Sequence, residues 1–398
     1  MKLDMAQRMQ HLPQQFFAGL TARVNQRIQD GYDVINLGQG NPDLPTPAHI
    51  VEALREAALD PRTHRYSAFT GMASLKHAVA DFYLREYGVE LDAQTEVAIL
   101  FGGKAGLVEI SEVYLNPGDV ALVPDPGYPD YWSGIALAGA QMVKLPLLAQ
   151  NRFLPDFNQI PKEIAQQAKL LFLNYPNNPT GAVAAPEWFE EVRDFAARHE
   201  ILVVHDFAYG AIGFDGVKPA SFLAAKGAKD VGIEIYTMSK SYNMAGWRIA
   251  FAVGNADVIQ AINLIQDHYY VSLFPAVQRA AAAALSGPQD AVQELVATYQ
   301  RRRDAFLSEL NTHGYTCEGE FCPAPKGSFY VWLRIPEGYH SVQFADALLE
   351  HASVGVAPGV GFGNHGEGYV RIALLAEEER LREAARRIAA FQSGLRSE

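Results

Sequence analysis

A lysine and an arginine stand eight residues apart in residues 237–248, directly after a run of apolar, strand-forming residues. Lys240 could act as a nucleophile or a general base if desolvation or a nearby positive charge lowers its pKa towards neutrality. Arg248 could supply that charge while its planar guanidinium binds a phosphate. Because most lysines are solvated at the protein surface, this pair alone is weak support, and the neighbouring motifs decide how it is interpreted.

A turn that carries an amide side chain follows a second apolar run. Residues 174–181 contain two prolines, three asparagines and a glycine, and they come directly after the apolar residues 170–173. Such residues favour a tight turn, which would direct the Asn178 amide away from the strand. An amide in that position can hydrogen-bond a phenolate oxygen.

A carboxylate follows the apolar run 201–205, and a phenol comes three residues later. If Asp206 is buried it needs a cationic partner, and a protonated pyridine nitrogen would be one. A helix N-cap is the alternative role for this aspartate when the segment is taken alone. Tyr209 is the phenol of the motif, and His205 is interpreted as a packing residue.

Short β-rich runs recur through the middle of the chain, separated mostly by segments with helical periodicity. They lie at residues 97–101, 120–123, 170–173, 201–205, 233–237 and 249–253. This alternation predicts an α/β fold with a mostly parallel central sheet that is covered by helices. Because ligands bind beyond the carboxyl ends of the strands in such sheets, we expect the three motifs to share one site.

The pattern of the chain changes near residue 289. It then predicts a long charged helix, a strand and two further helices, at residues 289–311, 328–333, 342–351 and 377–392. We therefore expect a large domain over residues 46–288 and a smaller α+β domain over residues 289–398. Residues 1–45 are expected to form an N-terminal arm and part of the small domain.

The composition is that of an ordinary globular chain, with 49% hydrophobic and 20% charged residues. The net charge of -12 offers no basic surface for nucleic acid or an anionic membrane. No run approaches the roughly 20 apolar residues of a membrane span, and no apolar signal core follows Met1, so a cytoplasmic protein is expected. Cys317 and Cys322 are interpreted as reduced thiols, and no metal is expected, because no zinc-ligand spacing accompanies them.

The turn, the carboxylate–phenol pair and the lysine–arginine pair occur in this order, at residues 178–181, 206–209 and 240–248. Together they resemble the signatures of class I/II, or fold type I, pyridoxal-phosphate-dependent aminotransferases, and the likeness extends over essentially the whole chain. The resemblance implies an aspartate aminotransferase-like fold. It also implies ping-pong transfer of an amino group between an amino acid and a 2-oxo acid, in a homodimer with shared active sites.

The resemblance assigns roles around the ring of pyridoxal 5'-phosphate. Lys240 would carry the cofactor. Asp206 would pair with the pyridine nitrogen and thereby make the ring an electron sink. Asn178 and Tyr209 would bind the phenolate oxygen. Tyr128 matches the aromatic residue that stacks on the ring, although a core tyrosine in a turn is the alternative.

The same resemblance assigns a phosphate site. Its residues would be Gly103, Lys104, Ala105, Thr237, Ser239 and Arg248, with Tyr66 reaching the phosphate of the partner subunit. Backbone amides at the start of a helix favour an anion, whereas residues 102–106 match neither a nucleotide-binding loop nor a dinucleotide fingerprint.

For the substrate, the resemblance implies that Arg371 binds the α-carboxylate, with Gly40 and Asn178 beside it. Phe16 and Phe17 are candidates for the wall around the substrate side chain, and packing is the alternative for both. Residues 12–17, 101–107 and 205–215 resemble the glutamine-using, methionine-salvage branch of the family. Alanine, aromatic, branched-chain and LL-diaminopimelate substrates stay open, and so does a carbon–sulfur β-lyase of the same fold. A pyridoxal-phosphate-sensing transcription regulator is disfavoured, because the short arm leaves no room for a DNA-binding domain.

Overall fold

The computed structural model describes residues 3–13, 16–315 and 324–395. Cys317 and Cys322 lie outside these residues. The helices are α1 (Gln7–Gln10), α2 (Phe16–Gln29), α3 (Ala48–Leu59), α4 (Ala73–Tyr87), α5 (Gly103–Tyr114), α6 (Asp130–Leu137), α7 (Lys162–Gln167), α8 (Pro186–His199), α9 (Ala228–Val231), α10 (Met238–Ser241), α11 (Ala256–Tyr269), α12 (Pro275–Ser286), α13 (Asp290–Thr312), α14 (Ser341–Ala347) and α15 (Glu378–Leu395).

The strands form three sheets among the described residues. They are β1 (Ile35–Asn36), β2 (Val97–Leu100), β3 (Val120–Asp125), β4 (Gln141–Pro146), β5 (Ala168–Leu173), β6 (Leu202–Asp206), β7 (Gly232–Thr237), β8 (Ala250–Gly254), β9 (Tyr330–Arg334), β10 (Val354–Gly355), β11 (Ala357–Pro358) and β12 (Tyr369–Ala373).

A seven-stranded sheet in the order β2-β8-β7-β6-β5-β3-β4 forms the centre of the molecule. Strands β4, β3, β5, β6 and β7 run parallel to one another, whereas β8 is antiparallel to both of its neighbours. The predicted α/β class with a mostly parallel central sheet is therefore confirmed. The antiparallel direction of β8 was not predicted, because an apolar run carries no information on strand direction.

Helices cover both faces of this sheet, which explains why its inner strands are apolar at consecutive positions. On one face, side chains of α3, α4, α8 and α12 complete a core with residues such as Phe251 and Leu171. On the other face, α5, α6 and α11 pack on residues such as Phe172 and Ile235. Strand β4 was not predicted, because it is a half-exposed edge strand with polar residues at Gln141 and Lys144.

A smaller antiparallel sheet, β11-β12-β9, packs with α13 and α15 in a separate core. Strand β1 pairs with β10, so residues near the start of the chain join residues beyond position 350. The backbone amide of Ala373 also donates to the carbonyl of Leu37 at 2.8 Å. The helix predicted at residues 342–351 is α14, followed by a π-helical turn at Leu348–Ala352.

Strands β5, β6 and β7 are adjacent and parallel, so their carboxyl ends meet at one edge of the central sheet. Leu173, Asp206 and Thr237 are the last residues of these strands. The three motifs found in the sequence begin at this edge. Within the described part of the chain, no helix is long and apolar enough to cross a membrane.

Candidate active site

A cavity of about 440 Å³ opens at the carboxyl ends of β5, β6 and β7. The sequence-predicted residues that line it are Phe16, Phe17, Gly40, Gly103, Lys104, Tyr128, Asn178, Asp206, Tyr209, Thr237, Ser239, Lys240, Arg248 and Arg371. Two predicted residues, Ala105 and Tyr66, are not among the residues that line the cavity. The fold therefore brings together side chains that are up to 355 positions apart in the chain.

Lys240 lies in the short helix α10, directly after β7. Its Nζ donates a hydrogen bond to the carbonyl oxygen of Gly40 at 3.0 Å. Burial, together with the positive charges of Arg371 and Arg248, lowers the pKa of the Lys240 ammonium to about 8. A substantial fraction of this amine is thus unprotonated slightly above neutral pH, as a nucleophile or base requires.

Asp206 is the last residue of β6, and its carboxylate accepts a hydrogen bond from the Tyr131 hydroxyl at 2.7 Å. Burial raises the pKa of this carboxyl to about 6, against the opposing effects of Tyr131 and His205. A turn, not a helix, follows the residue, so the N-cap alternative is wrong. Among the described residues it forms no salt bridge, which leaves a buried carboxylate that a cationic ligand would stabilise.

Arg371 projects from β12 between two aromatic rings, 4.3 Å from the ring centre of Tyr330 and 4.7 Å from that of Phe362. Its terminal nitrogens donate to the Asn178 side-chain oxygen and to the carbonyl of Gly38, each at 2.9 Å. Its Nε is buried and has no hydrogen-bond partner among the residues that the structure describes. The guanidinium is held in a fixed orientation, and a carboxylate would suit its remaining capacity to donate.

Two tyrosines line the cavity near Asp206. The Tyr209 hydroxyl donates to the Tyr330 hydroxyl at 3.2 Å, and burial raises the pKa of Tyr209 well above its usual value. The rings of Tyr128 and Tyr131 meet edge to face at 5.6 Å between centroids. Burial also raises the pKa of Tyr128 well above its usual value, so both Tyr128 and Tyr209 are neutral hydrogen-bond donors near neutral pH.

An anion-binding geometry exists where α5 begins. The N-cap residue Gly102 has a φ of 94° and offers no side chain to the free amides of the first turn. A Cβ at this position would lie 2.3 Å from Nη2 of Arg248, so only glycine allows the arginine to approach the loop. The Thr237 hydroxyl donates to that of Ser239 at 2.9 Å on the neighbouring strand end. Free amides, a helix dipole and a guanidinium converge here.

Lys104 does not point its charge at this anion site. Its Nζ forms a salt bridge with Asp130 at 2.7 Å. Any contact of Lys104 with an anion at the start of α5 would therefore use the backbone amide.

The start of α2 packs over the cavity. The rings of Phe17 and Phe362 are 5.0 Å apart, and a Cβ at Gly361 would lie within 2.8 Å of both Phe16 and Phe17. Gln14 and Gln15, which belong to the same predicted arm, lie outside the described residues. The two phenylalanines and Phe362 thus form an apolar wall of the cavity.

Tyr66 lies away from the cavity of its own chain, with 85% of its side chain exposed. The resemblance assigned it to the site of a partner subunit, and its exposure leaves it free to reach one. Tyr269, whose role the sequence left open, donates to Glu112 at 3.0 Å and is also exposed.

Sequence reasoning missed several residues that shape the site. Tyr131 hydrogen-bonds Asp206, and Asn174 donates to the Asp206 carbonyl at 2.7 Å while accepting from the Asn178 amide at 2.7 Å. Tyr330 contacts both Tyr209 and Arg371. The position of Asn174 at a strand end was a usable signal, whereas the other two depend on contacts across the fold.

The fold and the cavity define a class of protein: the chain belongs to the family described as aminotransferase class I and II, whose model matches residues 32–388. Two relatives illustrate the likeness. The "L-glutamine--4-(methylsulfanyl)-2-oxobutanoate aminotransferase" of Bacillus subtilis is 60% identical over 388 residues, which are 98% of this chain and 96% of that protein. The "LL-diaminopimelate aminotransferase" of Moorella thermoacetica is 47% identical over 96% of this chain and 97% of that protein.

A solved structure shows the same fold. The substrate-bound structure of BacF from Bacillus subtilis matches with a TM-score of 0.92 at 50% identity, covering 98% of each chain. Together with the family match, this confirms the fold predicted by resemblance and shows that the chain is an aminotransferase.

Proposed function

We propose that this aminotransferase binds pyridoxal 5'-phosphate in the cavity and attaches it to Lys240. The observation that carries the proposal is a lysine with a lowered pKa in the same cavity as a buried carboxylate, Asp206, which has no salt-bridge partner in the described part of the chain. In pyridoxal phosphate, an aldehyde would react with the Lys240 amine and a cationic ring nitrogen would pair with the Asp206 carboxylate. Its phosphate would be bound by the free amides at the start of α5 and the Arg248 guanidinium.

Different residues would bind different parts of the cofactor. Asp206 would pair with the pyridine nitrogen, Asn178 and Tyr209 would donate to the phenolic oxygen, and Tyr128 would stack on the ring. The phosphate would be bound by the backbone at residues 103–105 with Thr237, Ser239 and Arg248. When bound, the cofactor supplies an aldehyde carbon that reacts with amines and a ring that accepts electrons.

The chain's own residues would bind the amino acid and move its proton. Arg371 would bind the α-carboxylate, next to Gly40. Lys240 Nζ, which is unprotonated in part near neutral pH, would take the proton from the α-carbon of the amino acid and deliver it to the carbon that receives the amino group. With the incoming 2-oxo acid it would move a proton in the reverse direction. Because donor and acceptor use the same site in turn, ping-pong kinetics follow.

For the substrates we propose glutamine as amino donor and 4-methylthio-2-oxobutanoate as acceptor. The name of the 60%-identical Bacillus subtilis relative supports this pair. The apolar wall of Phe16, Phe17 and Phe362 suits an uncharged thioether side chain. LL-diaminopimelate is the second candidate, on the name of the 47%-identical relative.

We further propose a homodimer in which Tyr66 reaches the phosphate in the partner's site. Two segments carry exposed apolar side chains, Tyr66 and Phe69 on one and Tyr269, Val271 and Phe274 on the other, and we name these five residues the aromatic patch. The two segments that form it are joined by a hydrogen bond from the Ser67 amide to the Ser272 hydroxyl at 3.1 Å. Exposed apolar side chains on two connected segments are typical of a subunit interface.

The test is the absorption spectrum of the purified protein with added cofactor. The visible band of bound cofactor should disappear when methionine or glutamine is added, and a 2-oxo acid should restore it. The Lys240→Ala variant should show neither change. A protein that stays colourless with added pyridoxal phosphate would contradict the proposal. Pyruvate release from cystathionine would instead favour the carbon–sulfur β-lyase.

A further inference from the structure

A second buried carboxylate lies directly behind the cavity. Glu234 of β7 has no exposed surface, and it is approached by four donor groups. The Tyr83 hydroxyl donates at 3.0 Å, the Ser221 hydroxyl at 2.8 Å and the Phe222 amide at 2.6 Å. The fourth is Nδ1 of His205, at 2.8 Å. Each oxygen of the Glu234 carboxylate thus has two polar contacts.

His205, which the sequence suggested was a packing residue, does pack against the rings of Phe189 and Phe207. It is also fully buried, and its second nitrogen has a polar partner. Nε2 lies 3.1 Å from the carbonyl oxygen of Tyr175 and 3.3 Å from its amide. An imidazolium would donate to the carbonyl, whereas a neutral ring would accept from the amide.

The two contacts of His205 connect it to the cofactor residues. Tyr175 is the second residue of the turn that carries Asn178. On the strand, His205 directly precedes Asp206, so its ring lies on the opposite face of the sheet from that carboxylate. A positive charge there favours the ionised form of Asp206, as the direction of its effect on the Asp206 pKa indicates.

We infer that His205 is a protonated positioning residue: bound by the Glu234 carboxylate, it donates to the Tyr175 carbonyl, anchors the Asn178 turn and supplies positive charge behind Asp206. This inference rests on the proposed binding of pyridoxal phosphate. The Glu234 carboxylate is the counter-ion of the imidazolium, whose positive charge extends to lower pH the range in which Asp206 is ionised. A buried ion pair costs stability, so a functional role would account for its presence.

Other titratable groups face Asp206 and are unchanged in the test. Tyr131 on α6 donates to it, and Lys240 lies across the cavity. Tyr128 and Tyr209 are neutral near neutral pH, since burial raises the pKa of both. Around His205 itself, the titratable neighbours are Glu234, Tyr83 and Tyr175, and the two tyrosines also have raised pKa values.

Glu234→Gln is the sharpest variant, because it removes the charge and keeps the shape. Its amide oxygen can accept from His205 and the Phe222 amide, while its NH2 donates to the hydroxyls of Tyr83 and Ser221. As pH falls, the apoprotein should lose affinity for pyridoxal phosphate, and we call this part of the pH profile the low-pH limb. In Glu234→Gln we expect the low-pH limb to move up by about one pH unit. At pH values below the low-pH limb, the cofactor affinity of the variant should be about tenfold lower than that of the wild type. At pH values above the limb, the two affinities should be equal.

Tyr83→Phe is the matched control. It removes one hydrogen bond to the same carboxylate but leaves the charge, so its low-pH limb should stay at the wild-type position. An unshifted limb in Glu234→Gln, with wild-type cofactor binding, would overturn the inference and leave the proposed function intact. Failure of the wild type to bind the cofactor would instead contradict the proposed function.

A second measurement needs no folded Glu234 variant. The ¹⁵N NMR spectrum of the wild-type apoprotein at neutral pH should show both ring nitrogens of His205 protonated, with the signals assigned by their loss in His205→Gln. An unprotonated nitrogen would overturn the inference.

Discussion

Asp206 carries a cost in the protein without its cofactor. The carboxyl is buried at the end of β6, where its pKa is raised to about 6 from the ordinary value of 3.8. The folded chain therefore retains a proton that the unfolded chain loses between these two pH values. Stability contributed by the protonated carboxyl is present below about pH 4 and is lost as pH rises through 6. A cationic ligand would remove this cost.

Asp206→Asn should stabilise the apoprotein at pH 7.5 and have much less effect at pH 4. The amide still accepts from Tyr131, but it carries no charge to bury. The difference between the two pH values should be at most about 3 kcal/mol, from the size of the shift. Urea unfolding of both proteins at the two pH values measures it. Equal stability differences at pH 4 and 7.5 would contradict the account of Asp206.

Arg371→Lys should weaken substrate binding and leave cofactor binding unchanged. A lysine cannot donate to Asn178 and Gly38 while also offering a fork to a carboxylate. We expect kcat/KM to fall about 100-fold, roughly 3 kcal/mol, mainly through KM. Steady-state kinetics measure this. Arg248→Lys is the control, and it should lower cofactor affinity instead; a KM effect of equal size in both variants would count against separate roles.

Residue types and order along the chain were sufficient to predict that Lys240, Asp206, Asn178 and Arg371 come together in one cavity. Each lies in a motif with its own local signal, such as a turn or a strand end. Tyr131 and Tyr330 could not be found in this way. Tyr131 is 75 residues from Asp206, and Tyr330 is 121 residues from Tyr209 and 41 from Arg371. A tyrosine in an apolar segment has no local feature that distinguishes a hydrogen-bond partner of Asp206 from a core residue.

Helix α2 forms part of the site, together with the strand ends of the central sheet. The helix begins at Phe16 and brings two aromatic rings over a cavity whose other walls come from strand ends. Phe17 contacts Phe362, on the loop between β11 and β12, so two separate segments close the same side. The contact between Phe17 and Phe362 should therefore determine which substrate side chains the enzyme prefers.

Phe17→Ala should reduce the preference for methionine over alanine as amino donor. The ratio of their kcat/KM values should fall about 10- to 30-fold, because loss of an apolar wall costs roughly 1.5–2 kcal/mol of contact with the longer side chain. Phe16→Ala is the matched control and should have a smaller effect, since 41% of Phe16 is exposed. An unchanged ratio in Phe17→Ala would assign this residue to packing.

The pattern of apolar runs predicted most of the strands, since buried parallel strands differ clearly from their surroundings. It failed for β4, whose mixed sequence reflects an exposed edge. It also could not show that β1 pairs with β10, because that pairing joins residues more than 300 positions apart. The division of the chain at residues 45 and 288 stays a prediction.

At the scale of the molecule, the aromatic patch should form a dimer interface. Analytical ultracentrifugation should give twice the 43.7 kDa mass of the chain. Val271→Asp should shift the population towards monomer and reduce cofactor affinity, because Tyr66 of the partner would be lost. Val217→Asp, on an exposed loop outside the patch, should remain dimeric. A monomeric wild-type protein with full cofactor affinity would contradict the shared site.

Chemical trapping can show directly whether Lys240 carries the cofactor. The protein is incubated with pyridoxal phosphate, reduced with borohydride, digested and analysed by mass spectrometry. We expect a pyridoxyl-phosphate adduct on Lys240, which prior addition of an amino donor should diminish. An adduct on another lysine, or none on Lys240, would contradict it.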